Sequence, residues 1–242
     1  MKYYYEYEVK YQEVDDRKRL RLHNLENYLL EVAGTVADDL GFGIQVLHPR
    51  GLTWILTRLS VEMDYLPTHN EHLVFETWIE QNVHMLSTRD FRIWLKAENG
   101  EKRLIGTCKS VWAVLDLEKR EIVNCFDDPI FADAVDGEVL EMDRVRMTTI
   151  PEPTGKRNYT ICYSDLDYNR HCNSCNYLRV MMDTYLPDYY DRRVRLDINY
   201  QREITAGEEL TTNYLLTDDG VQYQQKNRYG ETSCSAKLTI NG

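Results

Sequence analysis

Apolar residues recur along this chain in two spacings, and the switch between them marks out its elements. At Leu25, Leu29, Val32 and Val36 they fall three or four apart, which places them on one face of a helix. The same spacing returns at Cys175, Leu178, Met182 and Tyr185. After the first helix the period shortens to two at Leu59, Val61, Met63 and Tyr65, and stretches rich in Trp, Val, Ile and Thr follow at 72–80, 85–96 and 104–117. After the second helix Val194, Leu196, Ile198 and Tyr200 alternate in the same way, followed by 210–217, 222–228 and 232–240. Each half is therefore predicted to be one helix followed by long antiparallel strands.

The two helical segments also match in sequence. Arg21-Leu-His-Asn-Leu-Glu-Asn-Tyr-Leu29 lies against Arg170-His-Cys-Asn-Ser-Cys-Asn-Tyr-Leu178 at an offset of 149, with arginine, two asparagines, tyrosine and leucine in common. Such a repeat implies two similar domains. A long helix followed by hairpin-linked strands suggests a curved antiparallel sheet wrapped around the helix, an α+β arrangement of the hot-dog type, here in tandem. The expected division is an N-terminal domain at 1–135 and a C-terminal domain at 150–242. The aperiodic stretch 127–153, with Asp-Asp-Pro, Asp-Gly-Glu and Pro-Glu-Pro, forms the connection.

Composition narrows the class. With 43% hydrophobic and 29% charged residues over 242 positions, the chain is an ordinary globular one. The start resembles neither a signal nor a transit peptide, and no apolar run reaches the ~20 residues of a membrane span, so a soluble, cytoplasmic protein without a membrane partner is expected. A net charge of −11 argues against nucleic acid. That charge is uneven: residues 1–140 hold 16 basic and 25 acidic side chains, against 13 and 15 in the remainder. An acidic partner would prefer the second half, where Arg192, Arg193 and Arg195 form the densest basic cluster, a solvated turn being the alternative reading. The six cysteines read as reduced thiols. Cys172 and Cys175 form a Cys-x-x-Cys beside His171, but no second ligand pair accompanies them, so no metal is expected.

Candidate chemistry concentrates before the second helix, in Ser164-Asp-Leu-Asp-Tyr-Asn-Arg-His-Cys-Asn173. Asp167, Asn169 and His171 alternate, so an extended backbone would send all three side chains to one face. The first turn of the helix that follows offers backbone N–H groups able to polarise a carbonyl. At the offset of 149 the trio falls on Lys18, Leu20 and Leu22, as though the first domain had kept the fold and not the chemistry, whereas Asn173 and Asn176 match Asn24 and Asn27 and read as structural. Glu203, at the end of an alternating strand, is the candidate base for activating water, a surface turn residue beside Thr205-Ala-Gly207 being the alternative.

Ser-Asp-Leu-Asp-x-Asn-x-His-x-Asn, followed by Tyr-x-Arg-Glu, resembles the acyl-acyl-carrier-protein thioesterases of plants and bacteria, and the resemblance runs through nearly the whole chain. Leu52-Thr-Trp-Ile-Leu-Thr-Arg58 and Ser110-Val-Trp-Ala-Val114 are its weaker counterparts in the first domain. The resemblance implies Asp167, Asn169, His171 and Glu203 as the catalytic group, a tandem hot-dog fold, no cofactor, and a fatty acyl chain on acyl carrier protein as substrate. The chain departs from the plant pattern at Ile204, where plant members carry cysteine, so a Cys-His-Asn mechanism is unavailable at that position. The first domain would bury the acyl chain, with Trp54 a candidate lining residue although a tryptophan there is by default core. A coenzyme A thioesterase, a hydroxyacyl-thioester dehydratase and a non-catalytic acyl-thioester binding module are the rival readings. A separate Glu203 favours hydrolysis over dehydration, and association into a homodimer is left open by the sequence.

Overall fold

The computed structural model describes residues 1–143 and 145–241, in two compact units, Met1–Asp143 and the residues after it. In the first unit β1 (Tyr3–Glu8) precedes the long helix α1 (Leu22–Asp39) and the short α2 (Ile44–Leu47). Four long strands follow, β2 (Leu52–Met63), β3 (His72–Val83), β4 (Leu86–Lys96) and β5 (Lys102–Asp116), then β6 (Ile122–Val123) and α3 (Pro129–Ala132). The second unit runs β7 (Gly155–Thr160), α4 (Ser174–Thr184), β8 (Arg193–Tyr200), β9 (Glu209–Thr217), β10 (Gly220–Lys226) and β11 (Thr232–Asn241).

Strand order is β1-β3-β4-β5-β2 in the first unit and β7-β9-β10-β11-β8 in the second, all antiparallel and topologically the same. Each unit is a hot-dog. Its helix buries the expected stripe in the first case: Leu25, Leu29, Val32 and Val36 are all at most 1% exposed. In the second, Cys175 and Leu178 are buried as expected, but Met181 replaces Met182, and Tyr185 lies past the helix end.

The leading strand of each unit, β1 and β7, falls outside the predicted elements. Both are sheet edges. In β1 tyrosine alternates with acid or tyrosine on a half-exposed strand, and β7, Gly-Lys-Arg-Asn-Tyr-Thr, is mostly exposed and meets α4 through polar contacts of Arg157 and Tyr159, so it carries almost no apolar residue. The stretch after residue 127 is not free connection throughout. Phe131 and Ala134 are buried in the first unit, and the Trp78 indole donates to the Glu138 carbonyl at 2.8 Å.

On the face of β3, β4 and β5 nearest that segment, Glu80, Asp90 and Lys109 form a buried charge cluster. Lys109 is hydrogen-bonded to Glu80 and lies 3.4 Å from Asp90, whose other oxygen accepts the Leu140 N–H at 3.1 Å. Burial, and then the neighbouring Glu80, push the Asp90 carboxyl up to about 7. The folded state therefore holds a proton that the unfolded chain releases near the ordinary value of 3.8, so this group's contribution to stability falls as pH rises from about 4 to about 7. Urea denaturation at pH 5 and pH 7.5 should show wild type losing stability relative to Asp90→Asn across that interval, by an amount on the order of 1–4 kcal/mol. A pH-independent difference between the two would refute it.

Candidate active site

The segment 163–173 is a tight turn rather than an extended run. A 3-10 turn at Tyr163–Asp165 leads into an antiparallel bridge between Leu166 and Cys172, with Arg170 left-handed at φ 67° between them. The Asp167 carboxylate closes the turn by accepting the backbone N–H groups of Asn169 at 2.8 Å and His171 at 3.1 Å. It holds the loop that carries the other two, so alternation is not what brings the trio together.

The first unit builds the same turn 152 residues earlier. Asp15 accepts the N–H groups of Arg17 and Arg19, both at 2.9 Å, Lys18 is left-handed at φ 65°, and Val14 bridges Leu20. The Asn24 amide donates to the Glu13 carbonyl as the Asn176 amide does to that of Asp165. Both helices begin in this register, at Leu22 and Ser174. The offset of 149 is thus corrected to 152, and the reason is helical: a slip of three residues is nearly one turn, so apolar positions still coincide. The true counterparts of Asp167, Asn169 and His171 are Asp15, Arg17 and Arg19. Aspartate is shared, while the amide and the imidazole belong to the second unit alone.

Glu203 reaches the site through the loop after β8. The Cys172 N–H donates to the Ile204 carbonyl at 2.7 Å and His171 bridges Thr205, which brings the Glu203 Oε2 to 3.5 Å from His171 Nε2. Both side chains are partly open to solvent, 22% for His171 and 36% for Glu203, so water can enter. In the first unit the Leu20 N–H donates to the Pro67 carbonyl in the same way, which makes buried Leu66 the counterpart of Glu203.

The surrounding residues are structural. Asn173 caps α4, its side chain accepting the Cys175 N–H at 3.1 Å, so this first-turn donor is already occupied. Buried Asp165 clamps the turn to the helix through Arg179 at 2.6 Å, the Tyr159 hydroxyl at 2.8 Å and the Cys162 N–H at 2.8 Å. Cys172 is buried in the bridge ahead of the helix and Cys175 within it. Among the described residues no group of His, Cys, Asp or Glu is placed to hold a metal ion, and no helix is long and apolar enough to cross a membrane.

The remaining candidates lie elsewhere. Trp54, on β2, donates its indole N–H to the Phe42 carbonyl at 2.9 Å and packs against Phe42, Phe126 and Phe131 in an apolar cluster of the first unit. Arg195 is committed to buried Asp197 through bonds of 2.9 and 3.2 Å, whereas Arg192 and Arg193 are exposed at the start of β8.

Family models for the acyl-ACP thioesterase N-terminal and C-terminal domains match residues 1–132 and 150–241. The chain belongs to the acyl-ACP thioesterase family. Its curated relatives in that family include the chloroplastic palmitoyl-acyl carrier protein thioesterases of Arabidopsis thaliana, 22% identical over 87% of this chain and 52% of that protein, and of Cuphea hookeriana, 24% identical over 72% and 43%. The chain spans about half the length of these relatives. Among solved structures, an acyl-ACP thioesterase from Bacteroides thetaiotaomicron is 29% identical with a TM-score of 0.84, covering 99% of this chain and 98% of that one. The 12:0-ACP thioesterase of Umbellularia californica, at 18% identity and a TM-score of 0.85 over 99% and 97%, shares the fold.

Proposed function

We propose that this acyl-ACP thioesterase family member hydrolyses the thioester of a fatty acyl chain on acyl carrier protein, releasing free fatty acid. The observation that carries the reading is the His171–Glu203 pair, 3.5 Å apart where the turn meets the loop after β8, positions that in the first unit hold Arg19 and Leu66. A shared scaffold with unshared polar groups points to chemistry rather than folding as the reason for those groups.

In this reading Glu203 takes a proton from a water molecule as its oxygen attacks the thioester carbon, and the Asn169 amide donates to the carbonyl oxygen where negative charge develops. Collapse of the tetrahedral intermediate breaks the C–S bond. The thiolate takes its proton from His171, which is replenished from Glu203 across the short gap between them. Asp167 holds the turn so that these groups meet. The N-terminal unit supplies the pocket for the acyl chain, with the Trp54 cluster as its candidate lining. Arg192 and Arg193 offer the acidic carrier protein a cationic docking point, Arg195 being held by Asp197.

Thiol release from a panel of acyl carrier protein and coenzyme A thioesters tests the reading. Turnover favouring the carrier-protein substrates is expected, and in Arg192→Ala/Arg193→Ala the KM for those substrates should rise about three- to tenfold at low salt with kcat retained. No hydrolysis of any thioester would overturn the function, and an unchanged KM and salt dependence would remove the arginines from it.

A further inference from the structure

Tyr177 is the fourth residue of α4 and 4% exposed, a phenol where the equivalent position of the first unit, 152 residues earlier, holds Leu25. A buried hydroxyl has to find a partner. This one donates to the carbonyl of Arg202 at 3.2 Å. Arg202 immediately precedes Glu203, so this hydroxyl ties the chain next to the candidate base.

That stretch needs such a tie. β8 ends at Tyr200, and the N–H groups of Gln201 and Arg202 both turn to one acceptor, the Ser233 carbonyl, at 2.9 and 3.1 Å. Glu203 therefore stands on backbone that has left the regular ladder. Tyr177 is itself held firmly: its ring packs edge-on against Tyr200 with centroids 6.1 Å apart, and its carbonyl accepts the Gln225 amide at 3.0 Å. The first unit again serves as a control. There the helix position is Leu25 and the loop position Leu66, both buried, so packing helix against loop requires no hydroxyl. The hydroxyl occurs in the unit that has the carboxylate.

We propose that Tyr177 is a positioning residue for Glu203, its hydroxyl fixing the backbone at Arg202 so that the carboxylate is held against His171. This rests on the reading of Glu203 as the base. Tyr177→Phe, Glu203→Gln and the double variant separate the two ideas when kcat and KM are measured with an acyl carrier protein thioester, alongside amide hydrogen exchange of the peptide 201–205. Tyr177→Phe keeps the ring and should lower kcat about tenfold with KM within about twofold, while exchange in 201–205 accelerates. In the Glu203→Gln background the same change should cost nothing further in kcat, since a residue acting through Glu203 has nothing left to position. Wild-type kcat and exchange in Tyr177→Phe would overturn the proposal while leaving the function intact, as would an equal fold-loss in both backgrounds. Full activity in Glu203→Gln would overturn the base assignment and this inference together. Should wild type hydrolyse no thioester, the exchange measurement decides alone: unchanged exchange overturns the tie, and acceleration confined to 201–205 supports it.

Discussion

Glu203→Gln is expected to lower kcat for acyl-thioester hydrolysis by about 10²- to 10⁴-fold, the range associated with loss of a general base. The substitution keeps size and hydrogen-bonding reach but removes the ability to accept the water proton. KM should change little if, as proposed, substrate binding draws on the docking arginines and the acyl pocket rather than on this carboxylate. Since Glu203 is 36% exposed and stands in a loop beyond β8, the fold should not depend on it, and the thermal midpoint should match wild type. Wild-type kcat in a folded Glu203→Gln protein would remove Glu203 from the mechanism.

Asp167→Ala should be nearly as damaging, for a different reason. The substitution deletes the acceptor for the Asn169 and His171 N–H groups and leaves Arg170 in a left-handed conformation with less to hold it there. A misplacement of about 1 Å at Asn169 and His171 is enough for a loss of about 10²-fold in kcat. The cost in stability, two charge-assisted hydrogen bonds at a partly exposed turn, should be about 1–3 kcal/mol. Asp15→Ala supplies the control, because it deletes the same two bonds from the same turn in the first unit. It should cost a similar amount of stability with kcat within about twofold of wild type. Equal losses of activity in the two variants would mean that Asp167 acts through general stability, and an unaffected Asp167→Ala enzyme would mean that the turn needs no such support.

The contrast between the two turns also shows where sequence reasoning was misled. Arginine, asparagine, tyrosine and leucine coincide at an offset of 149, and the helical period disguises the three-residue slip. The hydrogen bonds of Asp15 and Asp167 and of Asn24 and Asn176, with the left-handed residues Lys18 and Arg170, establish the register of 152. In that register Asp167 has a structural twin in Asp15, and Tyr177, which the slipped register matched to Tyr28, falls opposite Leu25 instead. Tyr28 bonds Glu13 in its own unit, a different task altogether.

What the sequence determined by itself was whatever periodicity and local chemistry encode. The two helices, the four long strands of each unit and the duplication follow from spacings of three to four and of two, because burying one face of a helix or sheet demands them. The cluster around Asp167, Asn169 and His171 was legible because polar groups interrupt that pattern just before a helix. Edge strands β1 and β7 were not, since an edge can be satisfied by backbone pairing alone and leaves little apolar signature. Tertiary structure decided the rest. It brought Glu203 across some thirty positions of sequence to His171, through a backbone bond from Cys172 to Ile204 that no side chain announces. It also committed Arg195 to Asp197 and Trp54 to an aromatic cluster. Contacts between residues distant in the chain are set by which strands pair and where loops leave them, and that information belongs to the whole fold rather than to any local pattern.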